Sequence, residues 1–303
     1  MVAPSPRPRV LVTGARGFIG SHLVEALAHR FDVVPAAFDL LEAPWPGDVL
    51  DGVHTVVHLA AHAHSAEPKT AEARERIIRL NAEAPIRLAN AAADAGVARF
   101  VFASNSKVLG DISAEPLHEG APLAPAGLYA ECKAQAEADL HALTRNADLT
   151  LCVVRPPLVY GPGVRANFLS LLKLASSRLP LPLGAAQAPR SFVSVGNLVA
   201  FLALVVESGE GVYHVADAEP VSVAELLGQI RELLGQPNRL WFVQEPLLRR
   251  VAAWLGREDQ VARLFDPMVL DDGRARSSLG WQAPQTREQA LRETVEWFKN
   301  NRT

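Results

Sequence analysis

Tyr129 and Lys133 stand four residues apart in YAECK, the spacing that stacks two side chains on one face of a helix. An ammonium beside a phenol favours the phenolate, and the pairing predicts that a hydroxyl titrating at about 10 is drawn towards neutrality. The chemistry is proton transfer with a substrate hydroxyl. Such a pair works with a third polar group, and upstream FASNSKVLG offers Ser104, Asn105 and Ser106. If that strand keeps its two-residue alternation, Ser104 and Ser106 share one face and Asn105 takes the other.

A second group of residues has the chemistry of phosphate binding. RVLVTG is a short apolar strand run, FIGSHLVEALAHR has helical periodicity, and between them TGARGFIG sets Gly14, Gly17 and Gly20 three apart. Glycines between a strand and a helix let the backbone approach a pyrophosphate, which the amides and dipole of the helix N-terminus stabilise. Arg16, Phe18 and Ile19 fill out the turn. An acidic residue about 20 positions on would bind the 2'-hydroxyl of NAD. Asp39, 19 residues after Gly20, is the candidate, although the short stretch from Asp32 to Thr55 also lets it close a contracted strand pair. Arg16 could meet a 2'-phosphate, so NAD is favoured and NADP stays open.

These residues need a scaffold. DVVPAAF, TVVHLAA, RFVFAS and LTLCVVR read as strands, separated by helical stretches such as RIIRLNAEAPIRLANAAADAG. That alternation predicts an α/β fold, a Rossmann-type doubly wound parallel sheet covered on both faces. After Arg155, RPPLVYGPG, LPLPLG and QAPR break the chain into loops, and helical runs return at Val195–Glu207, Val223–Leu234, Pro246–Leu255 and Thr286–Asn300. Residues 1–155, with later returning segments, are therefore read as the dinucleotide-binding domain. Residues 156–303 are read mostly as a smaller, mixed α/β substrate region.

The chain of 303 residues is 49% hydrophobic, with 30 basic and 33 acidic residues and a net charge of -3. That balance gives no electrostatic case for nucleic acid or membrane as the main partner. MVAPSPRPRV lacks a signal-peptide core, and LVAFLALVV at 198–206 falls short of the roughly 20 residues that cross a bilayer. A cytoplasmic protein is expected. Cys132 and Cys152 have no metal-ligand spacing and read as free thiols, Cys132 as a packed one. His58, His62 and His64 lack a carboxylate or thiol to complete a metal site, so no metal is expected. Trp241, Trp254, Trp281 and Trp297 lie in apolar runs and are assigned to the core.

In order along nearly the whole chain, TGARGFIG, HLAA, Asn81, FVFASNSKVLG, YAECK, RPPLVYGPG with NF at 167 and 168, RSFVSVGNLV and LGW resemble the extended short-chain dehydrogenase/reductase family. Within it, they resemble the nucleotide-sugar epimerases, dehydratases and 4-keto reductases. The resemblance implies a nicotinamide cofactor and a nucleoside-diphosphate sugar. It casts Tyr129 as acid/base and Lys133 as the residue that holds the nicotinamide ribose. Leu59, Ala60, Ala61, Asn81, Ser104 and Pro156 would belong to the cofactor site, with Pro157 beside it, and Asn81 would also steady the central strands. Asn167 and Arg190 match positions that meet the substrate phosphates.

Counting back five from Gly110, the family's serine or threonine position carries Asn105, which can donate through its amide but relays a proton poorly. The leading expectation is a 4-epimerase; the alternatives are a 4-keto-sugar reductase and a cofactor-binding protein with lost or altered catalysis. The sequence leaves monomer and homodimer open.

Overall fold

The computed structural model describes residues 7–42, 45, 48–63, 68–113, 115–254, 256, 261 and 264–301. His64 lies outside them. In chain order the first half runs β1 (Arg9–Thr13), α1 (Phe18–Leu27), β2 (Asp32–Pro35), β3 (Val53–His58), α2 (Ala71–Ile78), α3 (Ala84–Asp94), β4 (Arg99–Ala103), α4 (Leu128–Thr144) and β5 (Thr150–Arg155). There follow β6 (Leu158–Tyr160), α5 (Ala166–Ala175), β7 (Pro189–Arg190), β8 (Phe192–Ser194), α6 (Val195–Val205), β9 (Gly211–His214) and β10 (Val221–Ser222). The chain closes with α7 (Val223–Leu233), α8 (Glu245–Trp254), α9 (Gly273–Leu279) and α10 (Arg287–Asn300).

Six strands form one parallel sheet in the order β2-β1-β3-β4-β5-β9. Helices cover both faces, which is why β1 and β5 are almost continuously apolar. On one face α6, containing most of LVAFLALVV, packs with α1 through Leu23, Leu198, Phe201 and Leu202. On the other, Leu88, Phe100, Leu140 and Leu151 join α3 and α4 to the sheet. A second core, built on Phe168, Leu172, Leu227 and Leu291, holds the later helices together. The order reverses at β1, whose neighbours are β2 and β3, so a crevice opens beyond its carboxyl end where the glycine turn sits.

Two elements depart from the expected run. β2 ends at Pro35, an edge position where a missing N–H is tolerated; Ala36 N still donates to Val12 O at 2.8 Å, and Ala37 and Phe38 run on outside the strand. The helical stretch from 71 to 94 is interrupted by a π-turn at Arg79–Glu83, just before Pro85 in the first turn of α3. Proline lacks the N–H that a continuous helix needs, and the wider turn absorbs the fault. Among the described residues, no helix is long and apolar enough to cross a membrane.

The tryptophan assignment needs correction. Trp281 is buried and Trp297 packs on the second core, but Trp241 and Trp254 are 62% and 86% exposed. Trp254 is left out because α8 turns its Leu248 and Ala252 side towards the core, and Trp241 lies on the extended segment before that helix.

Candidate functional site

The glycine turn is shaped by close contacts. Gly14 has φ +68°, and a Cβ there would lie 2.7 Å from the backbone N of Ala60. Gly17 donates its N–H to Gly14 O at 2.8 Å, and a Cβ on Gly20 would fall 2.1 Å from the same oxygen. Only glycine lets α1 start this near β1 and the loop after β3. The helix begins with no side-chain cap, leaving backbone amides at its N-terminus to face an anion. Phe18 and Ile19 pack into the core, so their contribution to the turn is to anchor it.

Gly14, Arg16, Gly17, Leu59, Ala60 and Ala61 together line a cavity of about 400 Å³. Its wall opposite is Ala36, Ala37 and Phe38, with Leu80. The Asp39 carboxylate accepts the N–H of Leu41 through Oδ1 at 2.9 Å. Asp39 follows Phe38 of this wall, and Arg16 stands in the lining. Ala36 and Ala37 follow directly on β2, so the end of that strand supplies this part of the lining.

The loop at 59–61 is fixed from beneath. Thr13 Oγ1 accepts from Ala60 N at 3.3 Å and bonds His58 Nδ1 at 3.0 Å. His58 is fully buried between Phe100 and Phe102, and burial, then the charge of Lys133, lowers its pKa to about 3, so the ring is neutral. Asn81, inside the π-turn, accepts from His62 N at 2.9 Å and donates to His62 O at 3.4 Å. Its contacts steady the loop after β3, whereas the resemblance assigned it to the central strands. Among the described residues, no cluster of His, Cys, Asp or Glu that could hold a metal comes together.

Tyr129 and Lys133 lie in the first two turns of α4, and Lys133 reaches the end of β4. Lys133 is 1% exposed, donates from Nζ to Ala103 O at 2.8 Å and lies 4.3 Å from the Phe102 ring centroid. Burial lowers its pKa to about 7, against the opposing pull of Glu137. Burial also raises the Tyr129 phenol above its ordinary value. This corrects the expected direction: without a bound ligand, desolvation outweighs any help the ammonium gives the phenolate.

Beyond β4 the ladder continues without a bulge. Ser104 N donates to Val154 O at 2.8 Å and Ser106 N to Pro156 O at 2.9 Å, two residues on for each strand. Ser104 and Ser106 are accordingly buried, while Ala103 and Asn105 are partly open. Asn105 accepts the N–H of Lys107 through Oδ1 at 2.9 Å, which fixes the amide orientation. Its Nδ2 has no acceptor among the described residues and remains available to a substrate oxygen. Ser104 Oγ, beneath, is buried without a partner.

One pair was missed by sequence reasoning. Arg155, the last residue of β5, grips Glu137 of α4 with Nε–Oε distances of 3.0 and 3.1 Å. The side chains are 5% and 2% exposed, and Arg155 Nη1 also donates to Glu119 O at 3.0 Å. YAECKAQAE carries the signal, since Tyr129, Lys133 and Glu137 repeat every four residues along one helical face. Cys132 and Cys152 are buried free thiols, and burial raises both pKa values.

The substrate candidates are more dispersed. Pro156 and Pro157 are buried directly after β5. Asn167 is exposed in the first turn of α5, beside Ala166, whose φ of +50° is strained for a residue with a Cβ. That turn is held by Phe168 stacking on Tyr160 at 5.0 Å, and by the Tyr160 hydroxyl donating to Asp217 at 2.7 Å. Arg190 donates to Asp266 O, and Arg249 pairs with the Asp266 carboxylate at 2.7 Å, so two guanidiniums converge there. A larger groove of about 780 Å³ lies between α7 and α10, and none of the candidate residues lines it.

Residues 10–216 match the profile of the NAD dependent epimerase/dehydratase family. The chain is 33% identical over 322 residues to a UDP-glucose 4-epimerase of Vibrio cholerae, covering 97% of each. It superposes with a TM-score of 0.79 on a dTDP-glucose 4,6-dehydratase from Streptomyces venezuelae solved with NAD and TYD, at 25% identity over 97% of this chain and 98% of that one. MoeE5 in complex with UDP-glucose and NAD gives a TM-score of 0.75 and 28% identity over 96% and 99%. The glycine turn, the helical tyrosine–lysine pair and this coverage lead to one conclusion: the chain belongs to the NAD dependent epimerase/dehydratase family.

Proposed function

We propose that the protein interconverts C4 epimers of a nucleoside-diphosphate hexose. The observation that supports the reading is the bond from Lys133 of α4 to Ala103 O at the end of β4, two residues before Asn105, with Tyr129 one helical turn before Lys133. The family relationship and the relatives' UDP-glucose and dTDP-glucose substrates support it. Residues 1–155, with β9 and α6, are assigned to the dinucleotide, and 156–303 to most of the substrate wall.

NAD fits the cavity, because the Gly14 cradle leaves room that a Cβ would fill and the α1 amides face it. When bound, it would take the C4 hydrogen with its electron pair and later return it. The residues do the rest. Tyr129 accepts the proton of the C4 hydroxyl and gives it back, Lys133 holds positive charge beside it, and Asn105 donates to the oxygen as it becomes a carbonyl. The 4-keto sugar turns over between the two half-reactions, so no net reductant is consumed. Asn167 and Arg190 are assigned to the diphosphate.

A second reading, a 4-keto-sugar reductase using NADPH or NADH, draws on the cavity wall: with Arg16 in the lining, a 2'-phosphate can be admitted. A panel of UDP- and dTDP-hexoses and their 4-keto forms, assayed with and without added NAD(P)H, separates the two. Epimerisation without reductant supports the proposal. Stoichiometric consumption of NAD(P)H with a 4-keto sugar would replace it by the reductase, and inert binding by the loss of catalysis.

A further inference from the structure

Nine large hydrophobic residues are conspicuously exposed among the described residues, and five of them fall between 241 and 254. Trp241, Phe242 and Trp254 are 62%, 75% and 86% exposed, and Leu247 and Val251 about half. The three aromatics together expose on the order of 400 Å² of largely apolar surface within 14 residues of chain. Their placement follows from α8. Leu248 packs on the second core and Ala252 is 3% exposed, so the helix is already seated by that side. Leu247, Val251 and Trp254 project from another side, within an arc of about 60° at the helical pitch. Trp241 and Phe242 enter the helix from a segment tied down by Trp241 N to Leu181 O at 2.8 Å and Leu181 N to Arg239 O at 2.9 Å.

The charge around this stripe differs from that of the whole molecule. Between 239 and 254 stand Arg239, Arg249 and Arg250 against Glu245; Arg249 is paired with both Glu245 and Asp266, which leaves Arg239 and Arg250. Arg239 and Arg250 are exposed with no ion pair among the described residues, as is Arg178 on the segment paired alongside. Arg250 lies one helical step from the apolar stripe. A net charge of -3 conceals this local excess.

We propose that α8 and the Trp241–Phe242 segment dock the protein on an anionic lipid surface, with α8 lying in the plane of the interface. Tryptophan and phenylalanine enter the boundary between headgroup and acyl chain, the aliphatic stripe follows, and the flanking arginines meet lipid phosphates. A second copy of the chain fits less well, since a two-fold contact would face these arginines with their own kind. The attachment is peripheral, consistent with the absence of a described spanning helix.

The test is flotation of the intact protein with vesicles of phosphatidylcholine alone or with increasing phosphatidylglycerol, together with sedimentation of the lipid-free protein. The expected bound fraction rises with phosphatidylglycerol and falls with salt. Val251→Gln combined with Trp254→Ser should lower partitioning by about tenfold or more, with circular dichroism and turnover unchanged. Leu123→Gln, removing an exposed leucine outside this segment, should leave it unaltered. Absence of vesicle binding, binding indifferent to phosphatidylglycerol, or full binding by the folded double variant would overturn the proposal. Concentration-dependent dimerisation abolished by the double variant would overturn it in favour of a second copy as the occupant.

Discussion

Arg155→Met removes the guanidinium that grips Glu137 while keeping much of the buried stem. Glu137 is 2% exposed in the intact pair, and two of its contacts measure 3.0 and 3.1 Å, so the substitution strands a carboxylate in the interior. Breaking a buried pair from one side typically costs about 3–5 kcal/mol. Glu119 O also loses its Arg155 donor, which places the expected loss in the upper part of that range. The double variant Arg155→Met/Glu137→Leu removes both charges, and replacing a buried pair with apolar groups is often close to neutral, so it should recover most of the loss. Urea unfolding followed by circular dichroism gives the values, with the slope checked for two-state behaviour. If the single variant lost less than about 1 kcal/mol, or the double variant lost as much as the single, the reasoning would be wrong. The pair would then be replaceable by water.

Tyr129→Phe keeps the ring and removes the proton, so turnover should fall by at least about a hundredfold while substrate binding by calorimetry persists. Asn105→Ala should also slow turnover by on the order of a hundredfold, with Ser106→Ala close to normal, because the ladder places Ser106 on the buried face. The reverse ranking would assign the donor to Ser106. Gly20→Ala places a Cβ against a backbone oxygen that cannot rotate away, so it should cost about 1–3 kcal/mol and weaken NAD binding in a fluorescence titration. For Lys133, with a folded pKa of about 7 against 10.5 unfolded, the unfolded chain binds more protons between those values. Stability of the ligand-free protein should therefore rise with pH from about 7 to about 10, and Lys133→Met should flatten that limb; parallel curves would contradict the assignment.

What the sequence made legible follows from periodicity and from local geometry. The glycines at 14, 17 and 20 could be read because strand, turn and helix adjoin in the chain, and each contact that excludes a side chain lies within a few residues or on the neighbouring β3 loop. The faces of Ser104, Asn105 and Ser106 could be read because the two-residue period continues past the last residue of β4. The spacing from Gly20 to Asp39 does not report the local bond that its carboxylate makes with Leu41 N. The phenol of Tyr129 misled in direction because spacing reports proximity to Lys133 and is silent about desolvation. Arg155 and Glu137 meet across 18 residues, and Arg190 meets Asp266 across 76, distances at which pattern alone assigns no partner. Trp254 shows the complementary failure: apolar composition does not say which side of a helix the core has already claimed.

The central claim is that one C4 hydrogen leaves a nucleotide hexose and returns to its other face within a single bound turnover. The most direct measurement uses UDP-glucose deuterated at C4, incubated with the protein and catalytic NAD in water without added reductant, and follows the C4 epimer by mass spectrometry and NMR. The account predicts UDP-galactose with the deuterium retained at C4 and no net change in nicotinamide absorbance. Product lacking deuterium, or product formed only as NAD(P)H is consumed in equal amount, would contradict it.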